Sequence, residues 1–388
     1  MRVLYSFPHP LGGSGIGTVA WHHVDALARA GAEVVAVVPK VIRPLDPTLG
    51  IRTVTVLGPV RPRMIGRARA YGLIDRVTAH QVRRWGPTVV HSWPGAVLRT
   101  AAAARQAGIP MVREAPSPYT RTAVEQAAAA WADMGLAVPE GHFHQLTDSA
   151  LDMEDREFAS ADCLLVGSEQ AADSFAGLPF ADRVVVNRYG FDPRAFHVQP
   201  FRAGPPNAVF IGRCEPTKGF HVLLRAWAAA RRPPGARLLL CGLIGAEVRE
   251  RLAAELADSS VIECGRVPDM AEFLAGADIM VLPSFSEGSA LVTYESIGAG
   301  VVPLVSTASG PPLTHEVEGL VHETGNTGQL TAHLDRMLND PEDRARLREN
   351  GVARRSDLEW SVVGKRLSAL YTDLAEVTAP RQAARHDT

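Results

Sequence analysis

The sequence predicts an α/β protein with two doubly wound sheets of parallel strands. Short apolar runs, typical of buried parallel strands, alternate with longer amphipathic segments throughout the 388 residues. Arg2–Phe7 and Glu33–Val38 flank one predicted helix, and Ile279–Pro283 and Val301–Val305 flank another. Each unit has the order strand, helix, strand. This order predicts ligand-binding crevices at the carboxyl ends of the strands.

A change in composition separates the two series of strands. The segment Phe201–Asn207, FRAGPPN, reads as a linker, and a new apolar run begins at Ala208. A chain of this length has room for two or three domains. We therefore expect one domain over residues 1–203 and a second over residues 204–356.

The composition is that of a soluble globular protein. Hydrophobic residues make up 46% of the chain and charged residues 21%, with a formal net charge of −2. This charge argues against a nucleic-acid partner, and no apolar run approaches the ~20 residues of a membrane span. The cysteines are far apart, without a C-x-x-C pair, and predict reduced thiols in a cytoplasmic protein: Cys163, Cys214, Cys241 and Cys264.

The stretch from Arg52 to Arg84 is strongly basic, and its one acidic residue is Asp75. Its arginines are Arg52, Arg61, Arg63, Arg67, Arg69, Arg76, Arg83 and Arg84. A helical apolar stripe runs through the middle, formed by Met64, Ala68, Tyr71 and Ile74. A basic amphipathic helix can rest on the anionic inner face of a membrane or gather an anionic acceptor, whereas a solvated helix face is the plainer alternative.

Two glutamates lie eight residues apart in the strand–helix–strand unit of the second half. Glu287 precedes the predicted helix Ala290–Ala299, and Glu295 lies about two turns inside it. At ~3.6 residues per turn their side chains fall within roughly 80° of each other. Gly288 and Ser289 leave backbone N–H groups open to an anion at the helix N-terminus. The pattern suits a nucleotide-sugar, although two solvated glutamates are the plainer alternative.

A loop with two cations follows the first strand of the second domain. Arg213 and Lys218 lie five residues apart in GRCEPTKG. A guanidinium grips phosphate oxygens in a fork, and an ammonium adds a mobile point charge. Together they could neutralise a departing diphosphate without a metal ion. Two solvated surface cations are the plainer alternative.

These motifs resemble a known family. SEGSALVTYE, which ends at Glu295, resembles the E-x7-E segment of retaining GT-B glycosyltransferases of family 4, and G-R-x4-K-G agrees with it. The resemblance covers nearly the whole chain and is strongest over Ala208–Ser306. It implies two Rossmann-like domains facing across a cleft, with a C-terminal helix, here 357–375, crossing back onto the first. It also implies that Glu287 faces the donor sugar and that Glu295 holds the ribose hydroxyls.

Other donor-binding residues are expected at strand ends in both domains. The family carries a GG-containing loop that approaches the diphosphate, and backbone groups after a later strand meet the nucleobase. Besides Glu295, the expected donor-binding residues are Gly13, Gly15, Gly212, Gly242, Arg266, Val267, Ser284, Gly288, Ser289, Ala290 and Leu291. A loose NAD-type loop is an alternative for the first two glycines. However, the second strand ends in Pro39-Lys40 rather than in an acidic residue.

The acceptor side departs from the family pattern. Members commonly carry a histidine just after the strand that corresponds to Gly108–Glu114, and this sequence has none there. Arg113 or Glu114 could occupy that position, or His91 could reach in from the neighbouring strand. The expected acceptor-side residues are His91, Arg113, Glu114, Tyr119, Asn187 and Arg188. The polar insertion Thr120–Ser160 would select the acceptor.

We expect no metal and no cofactor in the reaction. His142, His144 and Asp148 could form a metal site, but they lack a further ligand at a recognised spacing. No D-x-D occurs in the chain. A divalent-cation clamp on the diphosphate therefore has no obvious place to form.

The function expected from the resemblance is retaining glycosyl transfer. Glu287, Arg213 and Lys218 would be the catalytic residues, the donor a nucleoside-diphosphate sugar, and the acceptor a hydroxyl of a glycan, lipid or small molecule. Two alternatives share the fold: a nucleotide-sugar epimerase, and an inactive nucleotide-sugar-binding protein. The long insertion Thr120–Ser160 favours an acceptor site and so argues against the epimerase. The intact charged motifs argue against the inactive binding protein.

Overall fold

A computed structural model describes residues 1–58, 65–201 and 204–386. Within these ranges the chain forms two parallel sheets, each flanked by helices on both faces. The expectation of two doubly wound α/β sheets is confirmed. The expected boundary at 203/204 falls beside residues 202–203, which lie outside the described residues.

The first sheet has the strand order β3-β2-β1-β4-β5-β6-β7. Its strands are β1 Arg2–Ser6, β2 Glu33–Val38, β3 Arg52–Thr55, β4 Val89–Ser92, β5 Met111–Ala115, β6 Cys163–Val166 and β7 Val184–Val186. Its helices are α1 Ile16–Arg29, α2 Arg67–Trp85, α3 Leu98–Ala107, α4 Thr120–Asp133, α5 Asp148–Ser160 and α6 Glu169–Asp173. The order reverses direction between β1 and β4, which opens a crevice at their carboxyl ends.

The second sheet has the order β10-β9-β8-β11-β12-β13. Its strands are β8 Asn207–Ile211, β9 Arg237–Cys241, β10 Val261–Gly265, β11 Ile279–Leu282, β12 Val302–Ser306 and β13 Leu320–His322. Its helices are α7 Phe220–Ala229, α8 Ala246–Arg251, α9 Ala253–Leu256, α10 Met270–Ala275, α11 Leu291–Ala299, α12 Thr327–Asn339 and α13 Pro341–Ala353, and α14 Trp360–His386 follows them. The order reverses between β8 and β11, so the cation loop after β8 and the glutamate loop after β11 lie side by side.

The basic stretch is not one helix. Arg52 begins strand β3, and its guanidinium lies over the ring of Trp85 at the end of α2. Asp75 is buried inside α2 and accepts backbone N–H bonds from the start of α3. Arg61, Arg63 and Met64 lie outside the described residues. No helix in the described part of the chain is both long and apolar enough to cross a membrane.

All four cysteines are free thiols, as expected. Cys163, Cys214 and Cys241 are buried, and Cys264 is partly exposed. Burial raises the pKa of the Cys163 thiol to about 12, so this group stays protonated at neutral pH. The four side chains contribute to packing as small hydrophobic groups.

Helix α14 returns from the second lobe and packs on α1 of the first. Val363, Leu367 and Tyr371 line its buried face. The close approach requires a glycine, because a Cβ on Gly364 would lie 2.6 Å from the Cβ of Ala26. This contact joins the chain end to the helix that follows the glycine-rich loop.

Replacing Gly364 with alanine is expected to destabilise the protein by about 1–3 kcal/mol, because the added methyl group forces α14 away from α1. Gly72→Ala in α2 is the matched control. No atom lies within 4 Å of a Cβ at that position, so the change should stabilise by about 0.5–1 kcal/mol. Thermal denaturation of both variants measures the difference. A Gly364→Ala protein as stable as Gly72→Ala would contradict the tight packing.

Candidate active site

The two lobes touch at the loop that carries Glu287. Ser168 Oγ, at the start of α6 in the first lobe, donates a hydrogen bond to the carbonyl oxygen of Gly288 at 2.6 Å. A Cβ on Gly288 would lie 2.1 Å from the carbonyl oxygen of Pro116, just after β5. No side chain fits at this position. The loops at the strand ends of the two sheets therefore meet along one cleft, and Glu287 lies next to this contact.

Glu287 is joined directly to the cation loop. Lys218 Nζ donates to Glu287 Oε1 at 2.5 Å, and Ser284 Oγ donates to the same oxygen at 3.0 Å. The lysine is held close because its loop passes tightly over the end of β11: a Cβ on Gly219 would lie 1.9 Å from the carbonyl oxygen of Pro283. The carboxylate is thus fixed by two donors before any ligand arrives.

Arg213 lies in the same loop but contacts other groups. Its side chain is 52% exposed, and its guanidinium pairs with Glu215 Oε1 at 3.0 Å and lies over the ring of Phe143 at 4.1 Å. Phe143 belongs to the segment between α4 and α5 of the first lobe. Arg213 is therefore engaged by Glu215 and by this segment, and the described structure shows no contact between it and Glu287 or Glu295.

The segment around Phe143 was not predicted to meet the cation loop. His142 Nε2 lies 3.5 Å from Glu215 Oε2, so two residues of the insertion contact the loop. Burial and the nearby charges of His142, Arg213 and Lys218 lower the pKa of His144 to about 3. The alternation of imidazole and aromatic side chains in HFH, residues 142–144, is the feature of the sequence that could have indicated this contact. Among the described residues, His142, His144 and Asp148 do not form a group of potential metal ligands.

Glu295 lies just over one turn into α11, and its carboxyl has no hydrogen bond or ion pair with any described residue. Burial raises the pKa of its carboxyl to about 7, the direction expected for an acid without a compensating partner. Part of its surface remains accessible. An unpaired carboxyl at a cleft is a natural receptor for hydroxyl donors.

The expected glycines lie at strand ends. Gly15, at φ 64°, precedes α1, and the carbonyl oxygen of Gly13 accepts a bond from Thr18. A Cβ on Gly242 would lie 1.9 Å from the carbonyl oxygen of Gly212, so the close approach of the loops after β8 and β9 requires a glycine at position 242. Gly265 at φ 63° turns the chain after β10, immediately before Arg266 and Val267.

The small residues after β11 divide into two groups. Ser284 supports Glu287, whereas Ser289 is buried and donates to the carbonyl oxygen of Gly310 at 3.1 Å. Leu291 begins α11, and Ala290 precedes it as the N-cap residue, with its own amide donating to the carbonyl oxygen of Ser309 at 3.1 Å. The side chain of Ser289 is therefore engaged within the second lobe, where it also bonds to the hydroxyl of Tyr294 at 2.8 Å.

The structure separates the six acceptor-side candidates. Glu114 and His91 lie together in the first lobe, with 3.3 Å between Glu114 Oε2 and His91 Nε2. Arg113 points to the opposite face of β5, because successive strand residues alternate. There it is fully buried and bonded to Glu154 and Glu157, so it does not reach the acceptor side.

Two more acceptor-side candidates also lie away from the cleft. The hydroxyl of Tyr119 donates to Asp155 at 2.9 Å, and its ring packs in an aromatic cluster with Phe175. Arg188 pairs with Glu169 on the surface at 2.8 Å. Asn187 is different, because it is buried and its amide nitrogen and oxygen have no hydrogen-bond partner among the described residues.

Two family models match the chain. Residues 14–190 match a glycosyl transferase 4-like domain, and residues 192–354 match glycosyl transferases group 1. The chain belongs to the group 1 glycosyltransferases. This membership confirms the resemblance to family 4 drawn from the motifs.

Curated relatives of this glycosyltransferase have modest identity. The D-inositol 3-phosphate glycosyltransferase of Thermobispora bispora is 30% identical over 50% of this chain and 51% of that protein. The enzyme of the same name from Thermomonospora curvata is 28% identical over 78% and 74%. The chain thus matches between about half and three quarters of the length of these two relatives.

Solved structures confirm the GT-B fold of this glycosyltransferase. Sucrose-phosphate synthase from Thermosynechococcus elongatus superposes with a TM-score of 0.73 at 18% identity, covering 97% of this chain and 99% of that one. HepE of Anabaena, solved with UDP-glucose, superposes with a TM-score of 0.70 at 15% identity, covering 96% and 100%.

Glu295→Gln is expected to stabilise the unliganded protein above pH 7. The raised pKa means that the folded state holds a proton which the unfolded chain releases, so the free energy of unfolding falls as pH rises from about 4.5 to about 7. Glutamine does not titrate, so the free energy of unfolding of the variant does not fall in this way over the same pH range. Its advantage over wild type should therefore grow by about 1–3 kcal/mol between acidic and mildly alkaline pH.

Thermal melting of both proteins at about pH 5.5 and about pH 8 measures this difference. Glu250→Gln, at an exposed position on α8, is the matched control and should change the melting temperature equally at both pH values. A pH-independent difference between Glu295→Gln and wild type would contradict a raised pKa.

Proposed function

We propose that this chain is a retaining, metal-independent glycosyltransferase that moves a sugar from a nucleoside-diphosphate sugar to an acceptor hydroxyl. The observation that carries the proposal is the bond from Lys218 to Glu287, which brings the cation loop and the carboxylate loop together at the strand ends. Neither loop alone would bind an activated sugar. Together they offer cations for the phosphates and carboxylates for the hydroxyls.

The charges of the reaction suit these groups. Cleavage of the bond between the anomeric carbon and the diphosphate leaves negative charge on the leaving oxygen and positive charge on the sugar. Arg213, Lys218 and the N-terminal amides of α11 would stabilise the leaving group, because preorganised donors act strongly in a cleft shielded from water. Glu287 would orient the sugar and balance its positive charge, and Glu295 would accept bonds from the ribose.

The comparisons suggest substrates to test first. HepE was solved with UDP-glucose, which makes a uridine-diphosphate sugar the first donor to try. Several curated relatives carry the name D-inositol 3-phosphate glycosyltransferase, so D-inositol 3-phosphate is a first acceptor. We place the enzyme in the cytoplasm, where the arginine-rich face of α2 would offer a contact for anionic lipid.

A panel of nucleotide-sugars, ranked by thermal shift and then assayed for nucleoside-diphosphate release with and without acceptor, tests the proposal. Glu287→Gln should lower kcat by at least about 10²-fold, because the amide has lost the charge that balances the sugar cation. Donor binding and the melting temperature should change little. Near-normal turnover by this variant would remove Glu287 from catalysis, and a product epimerised without an acceptor would favour the epimerase.

Arg213→Ala should weaken binding of the nucleoside diphosphate by about 2–4 kcal/mol, through loss of a charge-assisted contact. Isothermal calorimetry measures the change. Arg231→Ala is the matched control. Arg231 follows the C-terminal end of α7, is exposed, and pairs with Asp335. Equal affinities in the two variants would exclude Arg213 from the diphosphate site.

Transfer should proceed equally with and without added Mg²⁺ or Mn²⁺ in a chelator-treated assay. The cation pair would take the place of these hard, oxygen-seeking ions on the diphosphate. The rate is measured at saturating donor. A strict requirement for either ion would overturn the metal-independent mechanism.

A further inference from the structure

Three potential metal ligands converge inside the first lobe, on the face of the sheet covered by α1 and α14. They are His23 of α1, His91 of β4 and Glu114 of β5, and all three are buried. One ligand atom from each lies within 4.8 Å of the others. The three residues come from separate elements, so their meeting is a property of the folded sheet.

The three converging atoms make no hydrogen bond in the described structure. His23 Nε2, His91 Nε2 and Glu114 Oε2 are fully shielded and have no hydrogen-bond partner among the described residues. Leaving buried polar atoms unpaired is costly, which favours a ligand at this point. The distance from His91 Nε2 to Glu114 Oε2 is 3.3 Å. Two ligands at ~2.0 Å from a tetrahedral zinc ion are also roughly 3.3 Å apart.

Each candidate ligand has a second polar atom, on the side away from the other two residues, and this atom is hydrogen-bonded to a tyrosine hydroxyl. The pairs are His23 Nδ1 with Tyr5 at 3.2 Å, His91 Nδ1 with Tyr371 at 2.6 Å, and Glu114 Oε1 with Tyr189 at 3.2 Å. Metal-binding sites orient their ligands in this way, through a second group bonded to the far side of each imidazole or carboxylate. The hydroxyls turn all three inner atoms toward one point.

We propose that His23 Nε2, His91 Nε2 and Glu114 Oε2 bind one divalent transition-metal ion, with Zn²⁺ as the best match. Two imidazoles and one carboxylate are a zinc ligand set, whereas Mg²⁺ and Ca²⁺ prefer oxygen ligands alone. The ion joins α1 to β4 and β5 beneath the cleft. Through Tyr371, which bonds to His91, it also supports the packing of α14.

Metal analysis of the full-length protein, followed by zinc titration of the chelator-stripped and dialysed protein, tests the site. We expect about one equivalent of Zn²⁺ bound and, by mass action, a melting temperature that rises by at least about 3 °C on reloading. Substitution with Co²⁺ should give visible ligand-field bands of an ion bound by imidazole and carboxylate groups, without a thiolate charge-transfer band. Stripped wild type that binds no Zn²⁺ overturns the proposal, and so does a thiolate band.

His23→Gln and His91→Gln should each lose stoichiometric binding and the zinc-dependent rise in melting temperature. His22→Gln is the matched control, because His22 is the neighbouring buried imidazole but stacks on Trp360 at 4.8 Å. The His22→Gln protein should still bind one equivalent of Zn²⁺. Retention of zinc by both ligand variants, or its loss from the control alone, would also overturn the assignment. The wild-type titration decides the question if a ligand variant fails to fold.

This site and the metal-independent transfer step are separable. The proposed ligands contact neither Lys218 nor Glu287 in the described structure. Activity lost on stripping that returns with Zn²⁺ alone would assign the effect to the buried site. Activity that returns only with Mg²⁺ or Mn²⁺ would instead place a metal ion at the diphosphate.

Discussion

The contact between the lobes at Gly288 governs the geometry of the cleft. The Ser168 hydroxyl bonds to the Gly288 carbonyl, and the Pro116 carbonyl occupies the space where any side chain would project. Because these contacts involve backbone atoms, the loops that follow β5 and β11 are held against each other. Glu287, one residue away, is held at the junction both by this backbone contact and by its own bonds to Lys218 and Ser284.

Around that junction, charges are compensated to different degrees. Glu287 is paired with Lys218, Arg213 is shared between Glu215 and an aromatic ring, and Glu295 has no partner among the described residues. A protein optimised for stability alone would pair this carboxyl with a cation or have a neutral residue in its place. An unpaired carboxyl whose surroundings raise its pKa is expected in a binding site that is optimised for its ligand rather than for the stability of the unliganded protein.

Strand β5 shows how one short segment serves two separate networks. Arg113 and Glu114 are neighbours in sequence, but the alternation of the strand sends them to opposite faces of the sheet. Arg113 enters an ion-pair network with α5, while Glu114 joins His23 and His91 beneath α1 and α14. The same sheet therefore supports the insertion on one side and a potential metal site on the other.

The sequence by itself determined the fold class, the family and the two charged motifs, because each is written in local periodicity and spacing. Gly212, Arg213, Lys218, Glu287 and Glu295 are recognisable from the chain alone. The tertiary structure decided which side chains meet. It turned Arg113 away from the acceptor side, placed Phe143 over Arg213, and assembled His23, His91 and Glu114 from a helix and two strands. Such contacts depend on strand order and on the alternation of strand faces, which no local spacing encodes.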